Sequence, residues 1–315
     1  MKKGLYCILI PIFLSLVLTG CVEVTANKAG LKKIGPVTQI FAFGDSYSDS
    51  GASFRLTQKM VNKKLEDATI LPGDLYWKNR WTNGPTAVEV LAKHLRVPLT
   101  NYAVGGAKSG NGNYYHWMDP YEDTGVLGQI EKFHVELQGR GANPGALFFI
   151  FISANDYFEH IDYNLPGTAS DLADTAVANI CTAVAQLARL GAQHFMIVNS
   201  TDLSKLPVVT EPEQKALAQE FQTHFNSELL PAAESLQKHL DIKITLFDHI
   251  ALSNKIWSNP QKYGLRNLST PCQPVYPAVK PVCQSPDTHY YWDEWHPTRR
   301  VHQIAGKAMA ATLSK

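Results

Sequence analysis

The chain has 315 residues, 45% apolar and 18% charged, with a formal net charge of +1 from 29 Lys plus Arg against 28 Asp plus Glu. That length and apolar share suit one large domain with a sizeable core. A near-neutral balance carries no electrostatic footprint for nucleic acid, so recognition is expected to be local and chemical.

Residues 1–20 read as an export signal, with Lys2 and Lys3 ahead of an apolar stretch over residues 5–18 that is shorter than a membrane span. Leu18-Thr19-Gly20-Cys21 closes it in the pattern of a bacterial lipobox, where Cys21 is acylated and anchors the protein at the cell envelope. The alternative is an ordinary signal cleaved near Val24-Thr25-Ala26, which leaves a secreted protein. Residues 21–38 then read as a linker and residues 39–315 as the folded domain.

Residues 39–43 form an apolar run that breaks into Gly44-Asp45-Ser46-Tyr47 and a helix start. Residues 99–103 suggest a second strand, and the unbroken apolar run over residues 146–152 a third that is covered on both faces. Helical spacing over residues 171–190 stops at Gly191, and residues 193–198 follow as strand four. A long helix over residues 211–239, strand five over residues 242–247 and a closing helix over residues 301–313 complete the order. Strands alternating with helices imply an α/β fold, a three-layer α/β/α sandwich around a parallel sheet of about five strands. Sites in such sheets lie at the carboxyl edge, where Ser46, Asn155 and Asp248 fall. Residues 59–80, 114–125 and 264–291 read as long loops, the first two rich in aromatics and the last holding five prolines.

Ser46 is the candidate nucleophile, since a serine exposed on a sharp turn becomes reactive once a base reaches it. His296 is that base: Asp293 stands three residues earlier, a spacing that sets a carboxylate against Nδ1 and leaves Nε2 facing outward. Pro297 suits the first position of the last helix. An oxyanion needs donors, for which the Ser46 backbone N–H, a glycine of Gly105-Gly106 and the amide of Asn155 are candidates. Asp156 has a supporting role at most, and Asp45, Asp49 and Ser50 read as turn and cap residues. No metal motif is found among the eleven histidines, so no metal or other cofactor is expected. His289 and His302 read as surface or packing residues, and Cys181 as a small core residue. Cys272 and Cys283 flank a Pro-rich stretch in an exported chain and are expected to pair, the alternative being two reduced thiols.

The stretches around Gly44-Asp45-Ser46, Asn101 to Ala107, Ser153-Ala154-Asn155-Asp156 and Asp293 to Thr298 resemble, in order, the four blocks of the GDSL lipases and esterases, the SGNH hydrolases. Tyr47 stands where the family name has Leu, and Ser153 where its third block has Gly. Arg80-Trp81-Thr82-Asn83-Gly84-Pro85 resembles a stretch of the longer plant and bacterial members, so the resemblance runs from Gln39 to His302. It implies a flavodoxin-like fold, Ser46 as nucleophile, His296 as base, Asp293 as its orienting carboxylate, and Ser46, Gly106 and Asn155 as the oxyanion hole. Gly105 is the near competitor of Gly106.

The loop between Cys272 and Cys283 also resembles the bacterial phospholipase A, lysophospholipase and glycerophospholipid:cholesterol acyltransferase group, in which a protease cut in such a loop controls access. That group implies a phospholipid or other acyl-ester substrate met at a membrane surface, with acyl transfer to an alcohol as a second outcome. Tyr114, Tyr115, Trp117, Met118 and Tyr121 offer apolar area for an acyl chain. The alternatives are a carbohydrate or small-ester acetylesterase and, in another class, a non-enzymatic surface lipoprotein.

Overall fold

In the computed structural model, which describes residues 35–314, the apolar runs become β1 (Gln39–Gly44), β2 (Leu99–Asn101), β3 (Ala146–Phe151), β4 (His194–Val198) and β5 (Lys243–Phe247). All neighbours pair in parallel, in the order β2-β1-β3-β4-β5. The helices are α1 (Ala52–Asn62), α2 (Ala87–Leu95), α3 (Val126–Leu137), α4 (Ala154–Asp162), α5 (Ala169–Arg189), α6 (Pro212–Leu240), α7 (His249–Ser258) and α8 (Arg299–Leu313).

Alternate strand residues feed two cores, because successive side chains of a strand point to opposite faces. Phe41, Phe43, Phe148, Ile150, Phe195 and Ile197 pack under α3, α5 and α6. Ile40, Ala42, Leu147, Phe149, Met196 and Val198 meet Val88 and Leu91 of α2 and Met309 of α8 on the other side. This is the three-layer sandwich expected from the α/β alternation. Every residue of β3 is buried, which is why its sequence is apolar without a break.

Local chemistry fixes the helix ends. Thr86 with Glu89, and Thr168 with Asp171, form capping boxes at the starts of α2 and α5. Pro212 opens α6, where its missing N–H costs nothing. α1 runs to Asn62 and so takes the first part of the segment expected as a loop over residues 59–80. Among the described residues no helix is long and apolar enough to cross a membrane.

The chain leaves β1 for β2 on one side and returns as β3 on the other, so the carboxyl ends of β1 and β3 flank the topological switch point where ligands bind in such sheets. Gly44 closes β1 there with φ 153, and a Cβ at that position would lie 2.2 Å from the Phe151 carbonyl oxygen. Its N–H donates to Gln129 Oε1 at 2.9 Å and its carbonyl accepts from Gln129 Nε2 at 2.8 Å, all within the core. Gly44→Ala must push β1 from β3, and it is expected to lower unfolding free energy by at least about 2 kcal/mol in urea titrations. Unchanged stability would contradict this account of the strand end.

Candidate functional site

The turn that follows β1 is built by the carboxylates around Ser46. The Asp45 carbonyl accepts the N–H groups of Ser48 and Asp49 at 3.0 Å each, and Asp45 Oδ1 accepts the N–H of Tyr47 at 2.9 Å. Asp49 then caps α1, its Oδ1 taking the N–H of Gly51 at 2.7 Å and of Ala52 at 2.6 Å. These are the turn and cap roles read from the sequence. The same Asp49 carboxylate accepts the Gly105 N–H at 3.0 Å, and Asn101 Nδ2 donates to the Ser48 carbonyl at 2.6 Å. The second block is thereby sewn to the first.

Asp293 and His296 arrive from the far end of the chain on the segment before α8. His296 Nε2 lies 2.9 Å from Ser46 Oγ, and Nδ1 lies 2.9 and 2.8 Å from the two Asp293 oxygens. Asp293 is fully buried, and its Oδ1 also accepts the backbone N–H groups of Trp295 at 2.9 Å and His296 at 2.6 Å. Tyr47, the departure from Leu, sends its hydroxyl to the Trp295 carbonyl at 2.8 Å and so clamps the segment beside His296. Trp81 covers the imidazole with ring centroids 5.4 Å apart.

Gly105 and Gly106 are told apart by their N–H groups. That of Gly105 is engaged by Asp49 and by Ser53 Oγ at 2.7 Å, whereas that of Gly106 makes no hydrogen bond among the described residues and borders the cavity over Ser46. A side chain at Gly106 would meet Asn113 Oδ1 at 2.2 Å, and its φ of 82 favours glycine independently. Asn155 also borders the cavity; its amide donates to the Ala107 carbonyl at 2.9 Å, leaving a second N–H for a ligand. Ser153, just before α4, adopts φ 148, a conformation that suits the glycine it replaces and strains a serine. Asp156 supports the loop of Gly106, accepting from Ser109 Oγ at 2.6 Å and from the Ser109 N–H at 3.0 Å.

The cavity has a volume of about 680 Å³. From Ser46 it runs between Tyr157, Phe158 and Ile161 of α4 and the segment Leu206, Val208 and Val209. Of the five residues expected to form an acyl surface, Tyr114 and Tyr115 line it, but Met118 is buried against Leu56 and Met60, with Trp117 and Tyr121 packed there as well. Three of those five residues therefore hold α1 to the loop and do not face the site.

Cys272 and Cys283 form a disulfide, and the loop they close lends Val275 and Tyr276 to the cavity wall. It is tied to the His296 segment by the Gln273 N–H, which donates to the Trp292 carbonyl at 2.6 Å, and by the Val275 N–H, which donates to Glu294 Oε2 at 3.0 Å. The donor atoms of Cys272, Cys283 and His289 lie within 4.8 Å of one another, yet with both sulfurs bonded only the imidazole is left as a ligand. His302 is buried and takes the Ala87 N–H on Nδ1 at 3.1 Å, burial holding its imidazole down at about 3. It is a packing residue of α8 against α2.

Tyr76 was not singled out by the sequence. Its hydroxyl donates to Asp293 Oδ2 at 2.6 Å across 217 positions of chain, and no local spacing signals such a contact.

A family model described as GDSL-like Lipase/Acylhydrolase matches residues 40–309. The chain is similar to the thermolabile hemolysin of Vibrio parahaemolyticus, 26% identical over 289 residues that cover 87% of this chain and 63% of the hemolysin, so it spans less than two thirds of that relative. It is also similar to a GDSL esterase/lipase of Arabidopsis thaliana, 22% identical over 85% of each chain. A solved structure of a member of the lipolytic protein G-D-S-L family from Veillonella parvula aligns with a TM-score of 0.41 and 13% identity over 88% of this chain and 97% of that one.

Burial pushes the Asp45 carboxyl from 3.8 up to about 7, its one Tyr47 N–H bond offsetting only part of the lost hydration. A carboxyl whose folded value is raised stabilises the fold below its unfolded value and loses that contribution as the pH rises through the folded one. Between about pH 4 and about pH 7, Asp45→Asn is therefore expected to flatten the fall of unfolding free energy, read by urea titration at several pH values. A slope equal to the parent's would contradict the assignment.

Proposed function

The chain belongs to the GDSL-like lipase/acylhydrolase family and is an ester hydrolase, and from that premise we propose that it cleaves acyl esters of phospholipids or lysophospholipids through an acyl-enzyme on Ser46. The contact that carries the proposal is the 2.9 Å hydrogen bond from Ser46 Oγ to His296 Nε2 at the mouth of an apolar cavity.

His296 takes the hydroxyl proton on Nε2 as Oγ bonds to the ester carbon. Asp293 holds the imidazole in the tautomer with its free lone pair toward Ser46 and stabilises the imidazolium. The carbonyl oxygen gains a negative charge opposite the N–H groups of Ser46 and Gly106 and the amide of Asn155. Breakdown returns the proton from Nε2 to the leaving alkoxide, and the ester oxygen departs as an alcohol. A water, deprotonated by His296 in the same way, then releases the acid and restores Ser46. An alcohol in place of that water gives acyl transfer.

Support for a long acyl chain comes from the walls formed by Phe158, Ile161, Leu206, Val208 and Val209, which bury methylenes at about 0.8 kcal/mol each. A relative named as a hemolysin is in keeping with membrane lipid as the substrate. The export signal over residues 1–20 and the acylation of Cys21 lie outside the described residues and belong to the same proposal, since a tethered enzyme meets lipid at the envelope. So does a protease acting on the loop between Cys272 and Cys283, whose two fragments the disulfide would keep joined.

Ser46→Ala is expected to reduce turnover by at least about 10⁴-fold with the fold intact, and Asn155→Ala by about 100- to 1,000-fold. On nitrophenyl esters from acetyl to palmitoyl, assayed beside phosphatidylcholine and lysophosphatidylcholine, kcat/KM is expected to rise with chain length. A steep fall beyond acetyl would reject the lipid reading in favour of a small-ester or carbohydrate acetylesterase, whose substrate would stack on Tyr114, Tyr115 and Tyr276 instead.

A further inference from the structure

Resting on the reading of Ser46, His296 and Asp293 as a proton relay, we propose that Tyr76 is a positioning residue: its hydroxyl, donated to Asp293, fixes the carboxylate that aims His296 and limits how strongly it holds the imidazolium. The Tyr76 oxygen lies 2.6 Å from Asp293 Oδ2. Two backbone N–H groups already occupy Oδ1, so Oδ2 is divided between His296 Nδ1, at 2.8 Å, and the phenol. With the carboxylate fully buried, no solvent replaces a missing donor.

The phenol is a dependable donor. Burial first, and the adjacent carboxylate second, push its ionisation far above the ordinary phenol value, so it keeps its proton wherever the enzyme works. Its backbone is anchored, because the Trp77 N–H donates to the Thr82 carbonyl at 2.9 Å and Arg80 pairs with Glu89 of α2 at 2.6 Å. The Tyr76 ring rests 5.9 Å from that of Trp81, which in turn covers His296. Within the segment between α1 and α2, Tyr76 is the residue whose side chain hydrogen-bonds the relay's carboxylate, while Trp81 covers the imidazole.

A donor on a carboxylate draws off part of its charge, and less remains to favour the imidazolium on the other lone pair. Removing the hydroxyl concentrates charge toward Nδ1, so the base stays protonated to higher pH, and it frees the carboxylate to rotate. The other ionisable groups facing the pair are Asp45 and Tyr47 from the turn after β1, Tyr115 from the loop after Gly106, the adjacent Glu294, and His302 from α8. None changes between the parent and Tyr76→Phe, so their contributions cancel in the comparison.

Tyr76→Phe keeps the ring against Trp81 and deletes only the oxygen. The test is the pH profile of kcat/KM on a short nitrophenyl ester, together with the low-field proton NMR signal of His296 Nδ1–H. The acidic limb is expected to move up by about half a pH unit and the low-field signal to shift, with kcat down on the order of tenfold and KM nearly constant. A limb and a proton signal that superimpose on the parent's would overturn the proposal, even with kcat lowered, because loss of packing alone moves neither. Failure of the relay itself reads differently: Ser46→Ala would then retain activity in the same assay.

Discussion

The hydrogen bond between Ser46 and His296 joins groups 250 positions apart, and the rest of the structure is arranged to hold its two ends. Geometry of this kind has to be kept within about 0.5 Å to be productive, which isolated loops do not achieve. On one side the turn after β1 is fixed by Asp45, by Asp49 and by Asn101 of β2. On the other, the His296 segment is clamped from three directions: Tyr47 on the Trp295 carbonyl, Thr82 on the Pro297 carbonyl at 2.7 Å, and the Trp292 N–H on the His296 carbonyl at 2.7 Å. Tyr47 and Thr82 come from the Ser46 half of the chain, so the half that supplies the nucleophile also braces the base.

Burying so many polar groups beside a hydrophobic sheet is costly unless each is paired. Asp293 meets that condition fully, with acceptors engaged by two backbone N–H groups, an imidazole and a phenol. Asp45 meets it only in part, which is why its carboxyl is pushed up to about 7 while it sits next to the nucleophile. Asp156 lies between, its carboxyl raised to about 6 in spite of two bonds from Ser109. The carboxyl edge of the sheet thus stores a stability cost in the same places where it positions chemistry.

β1, β3 and β4 were legible because they are buried and read as apolar runs, whereas β2 and β5 at the sheet edges are only partly buried; the strand ends fall within a residue or two of the expected positions. The long helices α5, α6 and α8 announced themselves by period, and α5 also by the stop at Gly191; Pro297, expected at the first position of the last helix, lies just before it, since Thr298 is the N-cap and α8 starts at Arg299. The start of α1 was legible in the turn after β1, but its last residues were not, because its apolar partners come from the loop around Met118 and are distant in sequence. The short helices α2, α3, α4 and α7 carry too few turns for a period to stand out. At the site, the motif residues could be read because each is tied to its own strand end or turn. The contact of Tyr76, the exclusion of Gly105 by Asp49, and the inward packing of Met118 depend on which loops meet in space, and that information is carried by tertiary packing alone.

The most direct measurement is covalent labelling with a fluorophosphonate, followed by mass mapping of the modified peptide in the parent and in His296→Ala. The account predicts one phosphonyl group on Ser46 in the parent and almost none in the variant, since the oxygen is reactive only while the imidazole takes its proton. Equal labelling of Ser46 in the two proteins, or a label on another residue, would contradict it.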